Sequence, residues 1–210
     1  MIIEAFLEWL ETARTPDRIR AARALGAAWS RPELQGRERQ AVRTAMTCLL
    51  DDPSPQVRLA LAQTLAPCPQ TPREIALSLV HDQPEIAFCL IKDSPVLTDH
   101  DLVDLVAGGD SHAAALVAAR PGLSAGVAAA LAEVGDMTEI MVLLENRSAI
   151  LSRSTLIRIA ERHGGCVEVR QWLIDRTDLP SEARHLLVEW VGEALAAFGL
   201  VQATMGKRRI

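Results

Sequence analysis

Hydroxyl residues suited to starting a helix return along this chain at an almost fixed interval. Thr71, Thr98, Ser124, Ser152 and Ser181 are separated by 27, 26, 28 and 29 residues, and Leu97, Leu123, Leu151 and Leu179 stand one or two positions before the last four. A second series of turns falls between them: Asp52-Pro-Ser-Pro, His81-Asp-Gln-Pro, Gly108-Gly-Asp-Ser, Gly135-Asp-Met-Thr and His163-Gly-Gly-Cys. Two interleaved series at one period predict helix, turn, helix, turn, with each helix about ten to thirteen residues long. A pair that short cannot bury its own apolar face, so several pairs must stack.

Composition points the same way. The chain has no Tyr and three Phe, and is rich in Ala and Leu, so small aliphatic side chains at helical spacing must form the core. The expected fold is all-α, a single helical-repeat domain over 1–210. N-terminal helices occupy 1–36, about five helix-pair repeats 37–180, and a longer capping helix 181–205. Ile3, Phe6, Leu7 and Leu10 mark the apolar face of the first helix, and Ile19, Ala22, Leu25 and Trp29 that of the second. Val42, Met46, Leu49 and Leu50 point inward from a helix over 36–50. Thr71-Pro72-Arg73-Glu74 reads as a capping box with proline at the first helical position, and Thr98 with Asp101 as a looser one. The last helix carries Leu187, Trp190, Val191, Ala194, Leu195, Phe198 and Val201 at steps of three and four. It reads as a cap on the open end of the stack, or as a helix for a partner or a second copy, with Lys207-Arg208-Arg209 as a solvated tail.

In the turn Asp51-Asp52-Pro53-Ser54-Pro55-Gln56-Val57-Arg58, Ser54 and Pro55 suit the N-cap and first position of the following helix. This turn resembles that of the HEAT repeat, and the resemblance implies an α-solenoid of short antiparallel pairs. The second helices, about 54–65, 84–92, 111–119, 137–146 and 166–175, would then line its inner surface. Val169-Arg170 echoes Val57-Arg58 only in part, so no continuous ladder of Asp and Arg is expected. The runs Asp93-Ser-Pro-Val-Leu-Thr98, Ala119-Arg-Pro-Gly-Leu-Ser124 and Leu151-Ser-Arg-Ser-Thr-Leu156 make the segment from about 45 to 198 similar to a bacterial family of unknown function. That likeness implies the helical-repeat fold and supplies no catalytic residues.

No catalytic or metal-binding set is expected. Cys48, Cys68, Cys89 and Cys166 are far apart and form no Cys-x-x-Cys unit, which predicts reduced, mostly buried thiols. No His is followed by Glu, and His81-Asp82 and His100-Asp101 lie near helix ends, where such residues serve capping and the helix dipole. Ser111-His112 is a bare adjacency without an oxyanion loop. Gly108-Gly109 and Gly164-Gly165 lack the rest of a phosphate loop and suit helix ends. Neither a signal peptide nor an uncharged run of about 18 residues is present, so a cytoplasmic, membrane-free protein without cofactor is expected.

Charge is uneven. Residues 14–43 hold eight Arg against Asp17, Glu33 and Glu38, whereas 81–110 hold seven acidic residues against Lys92 alone. Arg37, Arg39 and Arg43, with Asp99, Asp101 and Asp104, are the candidate partner-binding residues of a non-catalytic protein–protein interaction module. The alternative is a nucleic-acid binder resembling the HEAT-like DNA glycosylases, whose basic groove would use these arginines with Trp9 and Trp29. An overall charge of −5 disfavours it. A homodimer through 181–201 is a third expectation.

Overall fold

The computed structural model describes residues 2–197, with side chains from residue 4 onward. It is all-α, with thirteen helices and no strand among the described residues. Packing divides the chain into two compact units, with the division between Leu102 and Val103. The expected placement of Ile3, Phe198, Val201 and the Lys207-Arg208-Arg209 tail lies outside what is described.

The first unit contains α1 (Ile2–Thr12), α2 (Thr15–Trp29), α3 (Gly36–Leu50), α4 (Pro55–Leu65), α5 (Arg73–Val80) and α6 (Pro84–Asp93), and α7 (Asp99–Ala107) begins in it. Alternate helices lie side by side, so that α1, α3 and α5 form one row and α2, α4 and α6 another. The second unit repeats this arrangement. There α8 (Ser111–Ala118), α10 (Met137–Glu145) and α12 (Val167–Ile174) form one row, and α9 (Ala125–Val134), α11 (Arg153–His163) and α13 (Ser181–Ala197) the other. Helices of eight to eleven residues are too short to persist alone in water, so their stability comes from the stripe each presents to its neighbours. Leu61, Leu65, Ile75 and Leu79 in the first unit, and Leu131, Ile140, Leu143 and Ile159 in the second, are completely buried. Each such side chain contributes about 2 kcal/mol of apolar transfer energy.

Polar groups tie each turn to the next along a row. In the first unit Arg18 Nε donates to Asp52 Oδ2 at 2.7 Å and Arg58 Nε to Asp82 Oδ2 at 2.6 Å, both guanidiniums making a second bond to the same carboxylate. Asp52 also accepts from the Ser54 N–H at 2.9 Å, and Arg58 donates to the Asp52 carbonyl at 2.5 Å, so one turn receives both neighbours. The second unit uses other chemistry for the same task. The Asn146 amide donates to the carbonyls of Ala118 and Arg120 at the end of α8. Arg162 donates to those of Ala132 and Gly135 at the end of α9, and the Trp190 indole to that of Ala160 in the last turn of α11. Donors and acceptors of these bonds are separated by 26 to 30 residues, one repeat, and the bonds fall on carbonyls at or just beyond helix ends; that of Ala160 accepts from the Gly164 N–H as well. Beside these caps, Arg153 pairs with Glu182 and Arg158 with Glu133 across neighbouring helices of the second unit, in more exposed pairs than Arg18–Asp52 and Arg58–Asp82.

Several local expectations are corrected. Thr71 does not cap α5: its buried hydroxyl donates back to the Leu65 carbonyl at 2.8 Å, and Pro72 occupies the N-cap position. The hydroxyl thus serves the end of α4, which proline and alanine cannot do. Thr98 and Asp101 do form a capping box, with 2.7 Å from Thr98 N to Asp101 Oδ2 and 3.4 Å from Asp101 N to Thr98 Oγ1. Ser124 and Ser152 cap α9 and α11, whereas Ser181 is already the first residue of α13. Only Cys68 of the four free cysteines is buried; Cys166 lies at the start of α12, its thiol donating to Glu168 at 2.8 Å. Gly109 ends α7 with φ +77, a left-handed conformation that favours glycine. Gly164 ends α11 in ordinary helical geometry and is needed for space, because a Cβ there would stand 2.6 Å from Trp190 Cδ1.

Candidate interaction surfaces

The N-terminal arginines do not gather into one basic groove. Arg18 is spent on Asp52, Arg14 and Arg20 both pair with Asp17, and Arg43 pairs with Glu74. Arg39 lies over the Trp29 ring at 3.9 Å from its centre and donates to Gln70 Oε1 at 3.3 Å. Arg37 is exposed on α3, and two residues along a helix turn the chain about 200°, so it faces away from Arg39. Trp29 is buried, its indole donating to the Gln70 carbonyl at 2.8 Å, while Trp9 stacks on Phe6.

The acidic group is likewise divided. Asp101 holds the Thr98 box and receives both Arg73 amino groups at 2.7 and 2.8 Å, while Asp99 and Asp104 are exposed on α7. The Asp of His81-Asp82 is taken by Arg58 and that of His100-Asp101 by Arg73, so each serves a turn. Among the described residues no three of His, Cys, Asp and Glu come together as a metal site, and no helix is long and apolar enough to cross a membrane.

An exposed apolar surface lies in the second unit, on the helix read from sequence as a cap or as a helix for a partner or second copy. α13 packs on α11 through Ala183, Leu187 and Trp190. Its next turns do not: Val191 is 40 % exposed, Leu195 56 % and Val188 68 %, and Ala194 is exposed too. α13 is apolar around more than one face, and the neighbouring α11 covers only that of Ala183 and Leu187, leaving Val191, Ala194 and Leu195 open. Val167 and Ile174, seven residues apart on α12, also lie open on one helix face. Among the described residues, Val134, Met137 and Ile150 complete the exposed large apolar residues of this unit, against Leu7 and Trp9 in the other.

Polar groups are also buried within the second unit. Glu139, at 2 % exposure, accepts from the Ser111 hydroxyl through one oxygen, while its other oxygen and Nε2 of His163 are buried without a hydrogen bond. Its position was legible, since Glu139 shares the stripe of Ile140 and Leu143. Leaving a buried carboxylate oxygen unpaired costs more than removing it. Glu139→Met is therefore expected to raise unfolding stability by about 1 kcal/mol in urea titrations, Ser111 being exposed enough to turn its hydroxyl to water.

Acid should act on the fold in two steps. Arg58, Arg73 and Arg176 hold the carboxyls of Asp82, Asp101 and Asp178 below the ordinary range, so these groups stabilise the fold above about pH 4 and lose that contribution as pH falls through their folded pKa values. Burial, helped by Arg162, lowers the pKa of His163 against the opposing pull of Gly135, Asp136 and Glu139. The folded state then binds this proton less readily than the unfolded chain, and stability falls as pH drops below about 6.5. Urea midpoints measured by circular dichroism should decline gently below that pH and steeply below about 4. His163→Gln should remove the first decline only.

A family model described as an uncharacterised protein conserved in bacteria matches residues 86–210. The match begins within α6, later than the resemblance from about residue 45, and leaves the arginine-bearing helices outside it. No curated protein and no solved structure matches the chain.

Proposed function

We propose that this chain, which belongs to the bacterial family DUF2336, is a non-catalytic binding module that engages another protein through the open apolar face of its second unit. The observation that carries this reading is the concentration of exposed large aliphatic side chains in that unit, within the family-matched segment. Exposing such side chains to water costs free energy, and a partner recovers it by covering them. The HEAT likeness supports the reading by analogy, since stacked helix pairs present broad surfaces to protein segments. A cytoplasmic setting belongs to the same proposal, in keeping with four unpaired cysteines. The nucleic-acid alternative is weakened because Arg18, Arg39 and Arg43 are engaged within the chain and lie outside the matched segment.

The test is a quantitative capture experiment with the wild-type chain and the triple variant Val188→Ser, Val191→Ser, Leu195→Ser, whose helicity should match the wild type because all three side chains are exposed. A specific protein retained by the former and lost by the latter is expected. An unchanged set of captured proteins would contradict the assignment. Sedimentation of both forms separates this from self-association through the same stripe. Trp190→Asp is unsuited to that purpose, because Trp190 holds α13 to α11.

A further inference from the structure

On another side of α13 the structure forms a groove of different chemistry. Two hollows of about 490 and 200 Å³ lie along the line where α13 meets α11, and both are bordered by Glu161 and Leu186. Ile157, Leu186 and Trp190 supply apolar wall, while Glu161, Glu189 and Glu193 add carboxylates; neither Lys nor Arg is among the lining residues. Leu186, Glu189, Trp190 and Glu193 follow helical spacing, so apolar and acidic groups alternate along one continuous edge. Glu161 pairs with Arg158 and Glu189 with His185, both in exposed pairs at 3.2 Å. Pairs so exposed contribute little and exchange readily for a new cation.

We infer that this groove is a docking site for a basic amphipathic segment of a partner protein, one that lays apolar side chains at one-turn spacing against Ile157, Leu186 and Trp190 and directs Lys or Arg to Glu161, Glu189 and Glu193. The inference rests on the binding reading above and adds to it a second contact surface, on the other side of α13, with the chemistry of the partner segment it takes. Apolar contact supplies the holding energy, and the carboxylates select against acidic or neutral segments and speed encounter. A segment longer than the groove also reaches Glu182, which lines the same hollow and is otherwise paired with Arg153 across an exposed surface.

The test is calorimetric titration of the full chain with a short amidated leucine–lysine peptide patterned as an amphipathic helix, and with its leucine–glutamate counterpart. The lysine peptide should bind, more weakly as salt is raised, and the glutamate peptide should not. Glu189→Lys with Glu193→Lys should weaken binding by about tenfold or more. Glu33→Lys with Glu38→Lys, an equal change of net charge at exposed positions in the first unit, should leave it within about twofold. Equal loss in both double variants, binding of the glutamate peptide, or no binding at low salt would overturn the inference. So would a dimer of the chain, seen in sedimentation, that the groove double variant disperses. If the peptide fails while the triple serine variant still loses its captured partner, the groove assignment falls and the binding reading stands.

Discussion

Gly26→Ala is expected to destabilise the first unit by about 2 kcal/mol, although alanine is intrinsically the better helix former by about 1 kcal/mol. Gly26 is buried on α2, where α2 and α4 pack, and a Cβ there would stand 2.1 Å from Thr64 Oγ1 and 2.7 Å from Thr64 Cβ. Rotation of the threonine can relieve the first clash but not the second. Thr64 is held besides, its hydroxyl donating to the Leu61 and Ala60 carbonyls at 2.8 and 3.2 Å. The helices must therefore separate, and separation opens the core around Leu61 and Leu65. Gly26→Leu should cost about 4 kcal/mol and leave the unit largely unfolded at 37 °C. Urea denaturation of Gly26→Ala, Thr64→Gly and the double variant checks the cause. The double variant should recover most of the loss, because the added methyl then occupies the space the threonine gives up. Additive losses would place the effect elsewhere.

Arg58→Ala should lower stability by about 3 kcal/mol. The guanidinium bonds both oxygens of Asp82 and the carbonyl of Asp52, and the side chains of Arg58 and Asp82 are each only 14 % exposed. Deleting it leaves a largely buried carboxylate and an open carbonyl, a greater loss than the pair's own net worth. Arg58→Lys should restore less than half, since an ammonium cannot reach two carboxylate oxygens and a carbonyl in one planar fork. Arg18→Ala should behave alike through Asp52. By contrast Arg43→Ala, whose partner Glu74 is half exposed, should change stability by less than about 0.5 kcal/mol.

The architecture was readable because its signals are local. A turn needs Pro, Gly, Asp or Ser at set positions whatever packs around it, and those residues located nearly every helix to within two positions. Partnership between turns was less visible. Arg18 and Asp52 are 34 residues apart, and nothing in Pro16-Asp17-Arg18 separates an arginine that reaches back to the next turn from Arg20, which stays with Asp17. Gly26 occupies the stripe of Ala22 and Trp29, a spacing that marks a close crossing once the helix is drawn. Thr71 shows the opposite limit, for its sequence fits a capping box in every position, yet its hydroxyl is claimed by the preceding helix.

The candidate surfaces were harder to read, for a physical reason. An amphipathic pattern shows that a face avoids water, not which neighbour covers it. Val191 and Leu195 repeat with Leu187 at helical steps, and only the placement of α11 shows that Leu187 is covered and the other two are not. Arg37, Arg39, Arg43, Asp99, Asp101 and Asp104 stood out by charge density. Density alone did not show that Arg39 would lie on Trp29, or that Arg73 would cross to Asp101.

The most direct test is hydrogen exchange of the chain with and without its captured partner. Slowed exchange is expected in α11 to α13, with α2 and α3 unchanged. Protection confined to α2 and α3 would move the binding surface to the arginine-bearing helices and contradict the account.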